Sequence, residues 1–237
     1  PQAAAMLRAA PAARNPAAMD DPTPVTTGRA RRFFRAIDWS AFWTATLVSF
    51  AVYFLTLGPS VTLEDSGELA VAGDYLGVPH PPGYPIWTML AWLFARAFSF
   101  VTFRGQPTPA WSIALSSACF GALAAGCTAM LITRSASDML RDTRTTLHKI
   151  HGRLEDTLCW AGGVAGSLVF AFSPVMWSQA TIVEVYALGA FFLMLVMLLT
   201  YRWMRQPSEK LLWLTAFVFG LGLTNYQVLL LAALPLV

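Results

Sequence analysis

Apolar residues recur along this chain in runs close to 20 residues, separated by short polar clusters. At 1.5 Å of rise per residue, a run of that length is what a helix needs to cross a hydrocarbon core of roughly 30 Å. Five such segments are legible, at 39–59, 85–103, 110–133, 158–177 and 187–201, and a further run over 211–237 begins a sixth. The pattern predicts an all-α polytopic membrane protein. Residues 1–28, rich in Ala and Pro without an apolar core, read as a disordered tail, leaving 29–237 as a transmembrane domain. An apolar run at the end of the chain suggests the N-terminal part of a longer protein. The first run is long enough to stay as an anchor rather than a cleaved signal peptide.

Charge orients these segments. Arg29, Arg31, Arg32 and Arg35 precede the first run, and Arg134, Arg141, Arg144, Lys149 and Arg153 fill the stretch 134–157. Arg202, Arg205 and Lys210 make a third basic turn. The positive-inside rule places all three, and the N-terminus, in the cytoplasm. The count of crossings between 59 and 134 is then consistent only if one candidate lies on the membrane. The segment 85–103 is that one: Arg96 at mid-helix would cost roughly 2.5–3.5 kcal/mol to insert, and prolines bend its entry. As an interfacial helix it keeps Arg96 among headgroups. Residues 60–109 then form one outer loop and 177–186 a second, on the same side.

Composition agrees with this class. Hydrophobic residues make up 56% of the chain and charged ones 12%, against about 25% charged in soluble domains. The net charge of +3 sits in clusters beside apolar runs, which suits a membrane surface and not a nucleic acid. Cys119, Cys127 and Cys159 lack metal-ligand spacing and read as helix-packing residues.

Chemistry concentrates in the two outer loops. Glu64, Asp65 and Glu68 put three carboxylates within five residues. They can supply a general base or orient a cation such as Mg²⁺ or Mn²⁺. The same spacing, Asp65 with Glu68 three residues on, is also a capping box opening a short helix over 66–76. The run 79–85 holds four prolines and Gly83, which fix an extended backbone around His80 and Tyr84. His80 is either a phosphate contact and proton carrier or an exposed residue on a rigid corner. Trp177, Gln179, Glu184 and Tyr186 form the second cluster; Trp and Tyr suit an interfacial belt, while Glu184 near membrane depth is a functional candidate. Asn225 and Gln227 read as helix-bridging amides. His148 and His151, three residues apart in the basic stretch, have metal spacing but no further ligands and read as solvated. There is no phosphate-binding glycine loop, nucleophile elbow or zinc-type cysteine pair. A sugar donor here would therefore be lipid-linked.

The string from Thr62 to Leu69, followed by Leu76 to Pro85, resembles the N-terminal signature of a membrane family long labelled a domain of unknown function, which is protein O-mannosyltransferase-like. Phe172-Ser173-Pro174, Trp177 and Glu184-Val185-Tyr186-Ala187 are similar to its second motif. The resemblance covers about residues 39–230 and places the chain with the GT-C superfamily of polyprenyl-phosphate-sugar-dependent glycosyltransferases. It implies a GT-C-like helix bundle with interfacial helices in the first outer loop. It also implies inverting transfer of a hexose, most plausibly mannose, to a hydroxyl on a protein, lipid or glycan. Asp65 would be the general base, with Glu64 and Glu68 beside it. His80, Tyr84 and Arg96 would face the donor phosphate, and Glu184 would be the acid of the second loop. The rival readings are a transporter or lipid flippase and a non-catalytic scaffold. Polar groups at one face rather than at mid-bilayer argue against transport.

Overall fold

The computed structural model describes residues 32–62, 64–143 and 152–236. The expected tail at 1–28 and the pair His148 and His151 lie outside them. The compact unit runs over Phe33–Val237. It contains eight α-helices among the described residues: α1 (Ala36–Leu55), α2 (Ser66–Tyr75), α3 (Pro85–Ala97), α4 (Pro109–Thr143), α5 (Gly152–Ala171), α6 (Pro174–Ala180), α7 (Tyr186–Arg205) and α8 (Glu209–Asn225). A 3-10 helix follows over Gln227–Leu236.

By length and composition, α4 and α7 can cross a membrane, and α5 with α6 makes a third if the bent pair is one span. The sequence marks five candidate segments, one of them laid on the membrane, and the start of a sixth; among the described residues, length and composition single out those that contain α4, α7 and the bent pair. The 17-residue α8 is short, and α1 carries Asp38 in its first turn, where the Arg35 backbone N–H donates to its carboxylate at 2.8 Å. The run expected over 158–177 breaks because Ser173 and Pro174 restart the helix. Ser173 Oγ accepts from the Met176 N–H at 3.3 Å, Pro174 occupies the first turn, and the axis bends by 71°. The run expected over 211–237 breaks at Tyr226, whose backbone is extended. The basic stretch expected as a loop from 134 is helical to Thr143. Neither Gly nor Pro interrupts it, and Arg134 pairs with Asp138 one turn on at 3.0 Å.

The segment expected to lie on the membrane is also shorter than the sequence suggests. α3 ends at Ala97 rather than 103, and thirteen residues rise roughly 20 Å, short of a bilayer core. Beyond it lies a two-stranded antiparallel hairpin, β1 (Thr102–Phe103) with β2 (Gln106–Pro107), which an all-α reading omits. Arg104 and Gly105 both have positive φ, 54° and 79°, as a two-residue hairpin turn demands.

The long α4 is the axis of the unit, with α1, α5 and α7 packed around it. Small side chains permit this. Ala114, Ala118, Ala122, Ala125 and Ala129 are all buried along it, and between helices close approach takes the place of side-chain bulk. A Cβ on Gly126 would stand 2.1 Å from Thr46 Oγ1 and 2.9 Å from the Phe42 ring. Across the bend, the Tyr53 hydroxyl donates to the Ala171 carbonyl at 2.6 Å, satisfying a group left free where α5 stops. At the opposite end Asp138 accepts from Tyr201 at 2.8 Å, and Arg35 bridges Asp38 and Asp156 at 2.9 and 2.8 Å. Charge pairs thus lock the basic end, leaving the other end to the site.

Two glycines give a paired test. Gly126→Ala forces a methyl into the α1–α4 contact and should lower the unfolding temperature in detergent, at an overpacking cost of about 1–3 kcal/mol. Gly162 has open space around its Cβ position, so Gly162→Ala should leave stability unchanged or raise it by about 1 kcal/mol through helix propensity. Equal effects from the two changes would contradict the packing described.

Candidate functional site

The chain leaves α1 and is at once tied to the second cluster. The Gly58 N–H donates to the Thr181 carbonyl at 3.1 Å, and Trp177 Nε1 donates to Thr56 Oγ1 at 3.0 Å. Glu64 then adopts φ 60°, a left-handed conformation unusual for a residue with a side chain. Its carboxylate accepts from Gln179 Nε2 at 3.3 Å. Asp65 occupies the N-cap position of α2 but makes no side-chain cap bond, so the capping box expected from the sequence does not form. Its carboxylate is largely exposed and stands 4.0 Å from His80 Nε2. Glu68, the expected other half of that box, turns instead to His80. Its Oε1 accepts the His80 backbone N–H at 2.6 Å and its Oε2 lies 3.2 Å from Nδ1. These bonds hold the Glu68 carboxyl below the usual carboxylate range.

The proline-rich turn presents His80 and Tyr84 to each other. The Gly83 N–H closes on the His80 carbonyl at 3.0 Å, and Gly83 and Tyr84 both take positive φ, 91° and 45°. The turn is therefore not merely extended, as the prolines suggest; it reverses, and Tyr84 Oη comes within 3.1 Å of His80 Nε2. Burial pushes the Tyr84 phenol up, with Tyr226 and Glu184 adding to the rise. Tyr226 packs against both Tyr84 and Tyr186, with centroids 6.1 and 5.4 Å apart. Beside this pair lies an apolar cavity of about 400 Å³ lined by Tyr186, Tyr226, Leu193 and Leu229 among others.

Glu184 sits beneath these groups, buried at 3% exposure. Its Oε2 accepts from the Val185 N–H at 3.2 Å. Burial pushes its carboxyl up to about 7 against that bond, and Glu64 and Asp65 raise it further. Its own carbonyl accepts from Trp87 Nε1 at 3.1 Å and Ser117 Oγ at 3.2 Å. Ser66 Oγ donates to the Val183 carbonyl at 3.2 Å, and Asn225 Nδ2 to that of Val185 at 3.2 Å. The structure thus joins Glu64, Asp65, Glu68, His80 and Tyr84 to Trp177, Gln179, Glu184 and Tyr186.

Arg96 is placed elsewhere. It lies twelve residues along α3 from Tyr84, roughly 18 Å on the helix axis, and its guanidinium binds the Asp74 carboxylate and, at 2.8 Å, the Asp74 carbonyl. It joins α3 to α2. Among the described residues no three His, Cys, Asp or Glu side chains are grouped to hold a metal ion. Trp87, Ser117 and Tyr226 escape a reading of the sequence, since nothing in apolar periodicity marks which Ser or aromatic meets a loop. Asn225 is legible there as a bridging amide, though not its partner.

The family model described as Protein O-mannosyl-transferase TMEM260 N-terminal domain matches residues 65–237. The chain is 34% identical over 191 residues to Protein O-mannosyl-transferase TMEM260 of Mus musculus, an overlap covering 79% of this chain and 23% of the mouse protein. It is 28% identical over 197 residues to the Dictyostelium discoideum protein of that name, covering 78% and 21%. The chain therefore matches between a fifth and a quarter of these relatives' length. No solved structure matches it.

The Glu184 environment has a measurable consequence. Its folded-state carboxyl titrates near 7, above the ordinary 4.5. Between those values the folded protein holds a proton that the unfolded chain has lost, so stability falls as pH rises. This contribution is complete below about pH 4.5 and gone once pH has passed through about 7. Glu184→Gln, neutral throughout, should remove that slope from the unfolding temperature measured over this window. Parallel curves for the two proteins would show that Glu184 is not buried as described.

Proposed function

The chain belongs to the family of the Protein O-mannosyl-transferase TMEM260 N-terminal domain, and from that premise we propose that it carries the catalytic face of a multi-pass glycosyltransferase. The enzyme transfers mannose from a polyprenyl-phosphate donor to a hydroxyl of a protein acceptor. The site lies on the outer, periplasmic or lumenal side, at the end of a GT-C-like bundle whose N-terminus is cytoplasmic. The observation that carries this reading is the exposed Asp65 carboxylate, free of the cap bond its position invites and 4.0 Å from His80 Nε2, on a platform bonded to the second loop.

The reaction needs few parts. Asp65 takes the proton of the acceptor hydroxyl as its oxygen attacks the anomeric carbon. The bond from that carbon to the phosphate oxygen breaks on the opposite side, and the lipid phosphate departs with the electron pair, inverting the centre. Tyr84 and His80 border the donor phosphate. Trp177, Gln179 and Tyr186 border the acceptor side, and Glu184 fixes the loop that carries them. Polar residues gathered at one end support transfer rather than transport through the bundle.

Purified full-length protein given labelled polyprenyl-phosphate mannose and an acceptor protein tests the reading. Transfer by the wild type should fall roughly 10²–10⁴-fold in Asp65→Asn, as loss of a general base does. Because Asp65 makes no cap bond, Asp65→Asn and Asp65→Ala should unfold at the same temperature. Near-normal turnover in the Asn variant would remove Asp65 from the chemistry.

A further inference from the structure

Transfer as proposed above leaves two charges to be managed: the proton taken by Asp65 and the negative charge growing on the phosphate. The arginine that the sequence offered for the second task is engaged at the far end of α3 with Asp74. What stands beside Asp65 is His80, the one group bonded on both ring nitrogens within this cluster.

The bonds of that ring define its protonation. The Glu68 carboxyl is held in its ionised form, and an ionised carboxylate only accepts. Nδ1, 3.2 Å from Oε2, is therefore the nitrogen that carries the hydrogen. A second bond, from the His80 backbone N–H to Oε1 at 2.6 Å, prevents the carboxylate from swinging away. Neutral His80 then keeps its lone pair on Nε2, towards Tyr84 Oη at 3.1 Å and Asp65 Oδ2 at 4.0 Å. Tyr84, protonated in the free site, donates to that lone pair. The other charged groups around the ring are Glu184 below and Glu64 beside Asp65, both acidic, with Tyr226 behind Tyr84.

We propose that Glu68 and His80 form a dyad that receives the acceptor's proton from Asp65 on Nε2 and presents it, as an imidazolium N–H, to the leaving phosphate. The proposal rests on the transferase reading and completes its proton balance. The acceptor O–H bond breaks to Asp65. Asp65 is regenerated as its proton passes through one water across the 4.0 Å to Nε2, the Tyr84 hydroxyl turning its hydrogen off that lone pair. The phosphate oxygen, released with the electron pair of the anomeric bond, takes the proton from Nε2. No further reactant is needed. His80 is then a catalytic residue, and Glu68 a positioning residue that acts through the tautomer it enforces.

Glu68→Gln separates this role from a structural one. The Gln carbonyl can still accept the His80 backbone N–H, but its amide hydrogens face Nδ1 and force the hydrogen onto Nε2, where no proton can then be received. In the full-length enzyme with labelled polyprenyl-phosphate mannose and acceptor, Glu68→Gln should lower kcat about 10–100-fold, the range seen when such a partner of a functional histidine is lost, with the donor KM unchanged. His80→Ala should lose roughly 10²–10⁴-fold, and added imidazole should recover it several-fold while doing nothing for Asp65→Asn. If the wild type transfers mannose but His80→Ala gains nothing from imidazole, or Glu68→Gln keeps its full kcat, the dyad is wrong and the transferase reading survives. If the wild type transfers nothing, the transferase reading fails and takes the dyad with it. Should His80→Ala not fold, the kcat of Glu68→Gln decides alone.

Discussion

Between α6 and α7 the backbone is not helical, and of its carbonyls only that of Val185, which accepts the Gly189 N–H at 3.1 Å, has a partner among the described backbone hydrogen bonds of its own stretch. In a protein whose surroundings are largely apolar, each such carbonyl must find a donor or cost several kcal/mol. Here four of them do, at Thr181, Val183, Glu184 and Val185, through Gly58 N–H, Ser66 Oγ, the Trp87 indole with Ser117 Oγ, and Asn225 Nδ2. The donors come from the loop after α1 and from α2, α3, α4 and α8. Satisfying one short stretch therefore assembles the platform, because each donor side chain brings its own element into register.

The rest of the site is arranged on that requirement. Ser66 is the residue after Asp65, so its bond to Val183 sets the start of α2 and with it the Asp65 and Glu68 carboxylates. Trp87 lies three residues after Tyr84, so its indole anchors the head of α3 and the turn that brings His80 to Glu68. The scaffold is buried and hydrogen-bonded at these points, while Asp65, Glu68 and His80 above it keep between a third and two-thirds of their side chains exposed. Rigid support below and open reacting groups above is what transfer between two bulky substrates needs. The other end of the bundle is held by charge pairs around Asp138 and Arg35.

Much of this was legible in the chain. The apolar runs mark α4 and α7, and the carboxylates of 64–68, the His80 turn and Glu184 stand out as polar groups in apolar surroundings. What periodicity misses is local backbone chemistry and long-range pairing. Ser173-Pro174 looks like part of one apolar run until the cap and the missing N–H are considered together. Asp65 and Glu68 have capping-box spacing, yet Glu68 finds in the His80 backbone N–H and ring a better pair of donors than its own helix end. That Arg96 pairs with Asp74, 22 residues earlier, is likewise unmarked in the sequence. The Ser66–Val183 and Ser117–Glu184 bonds join residues 117 and 67 positions apart, a separation that no pattern of apolar spacing encodes.

The central claim is spatial: donor lipid phosphate and acceptor meet on the platform made by residues 64–84 and 177–186. A polyprenyl-phosphate mannose analogue carrying a photoreactive group near the phosphate, activated on the full-length protein and followed by peptide mass spectrometry, measures this directly. The account predicts adducts on peptides containing His80, Tyr84 or 177–186, competed away by unmodified donor. Competed adducts confined to the Arg134–Asp138 end or to the turn around Arg205 would contradict it.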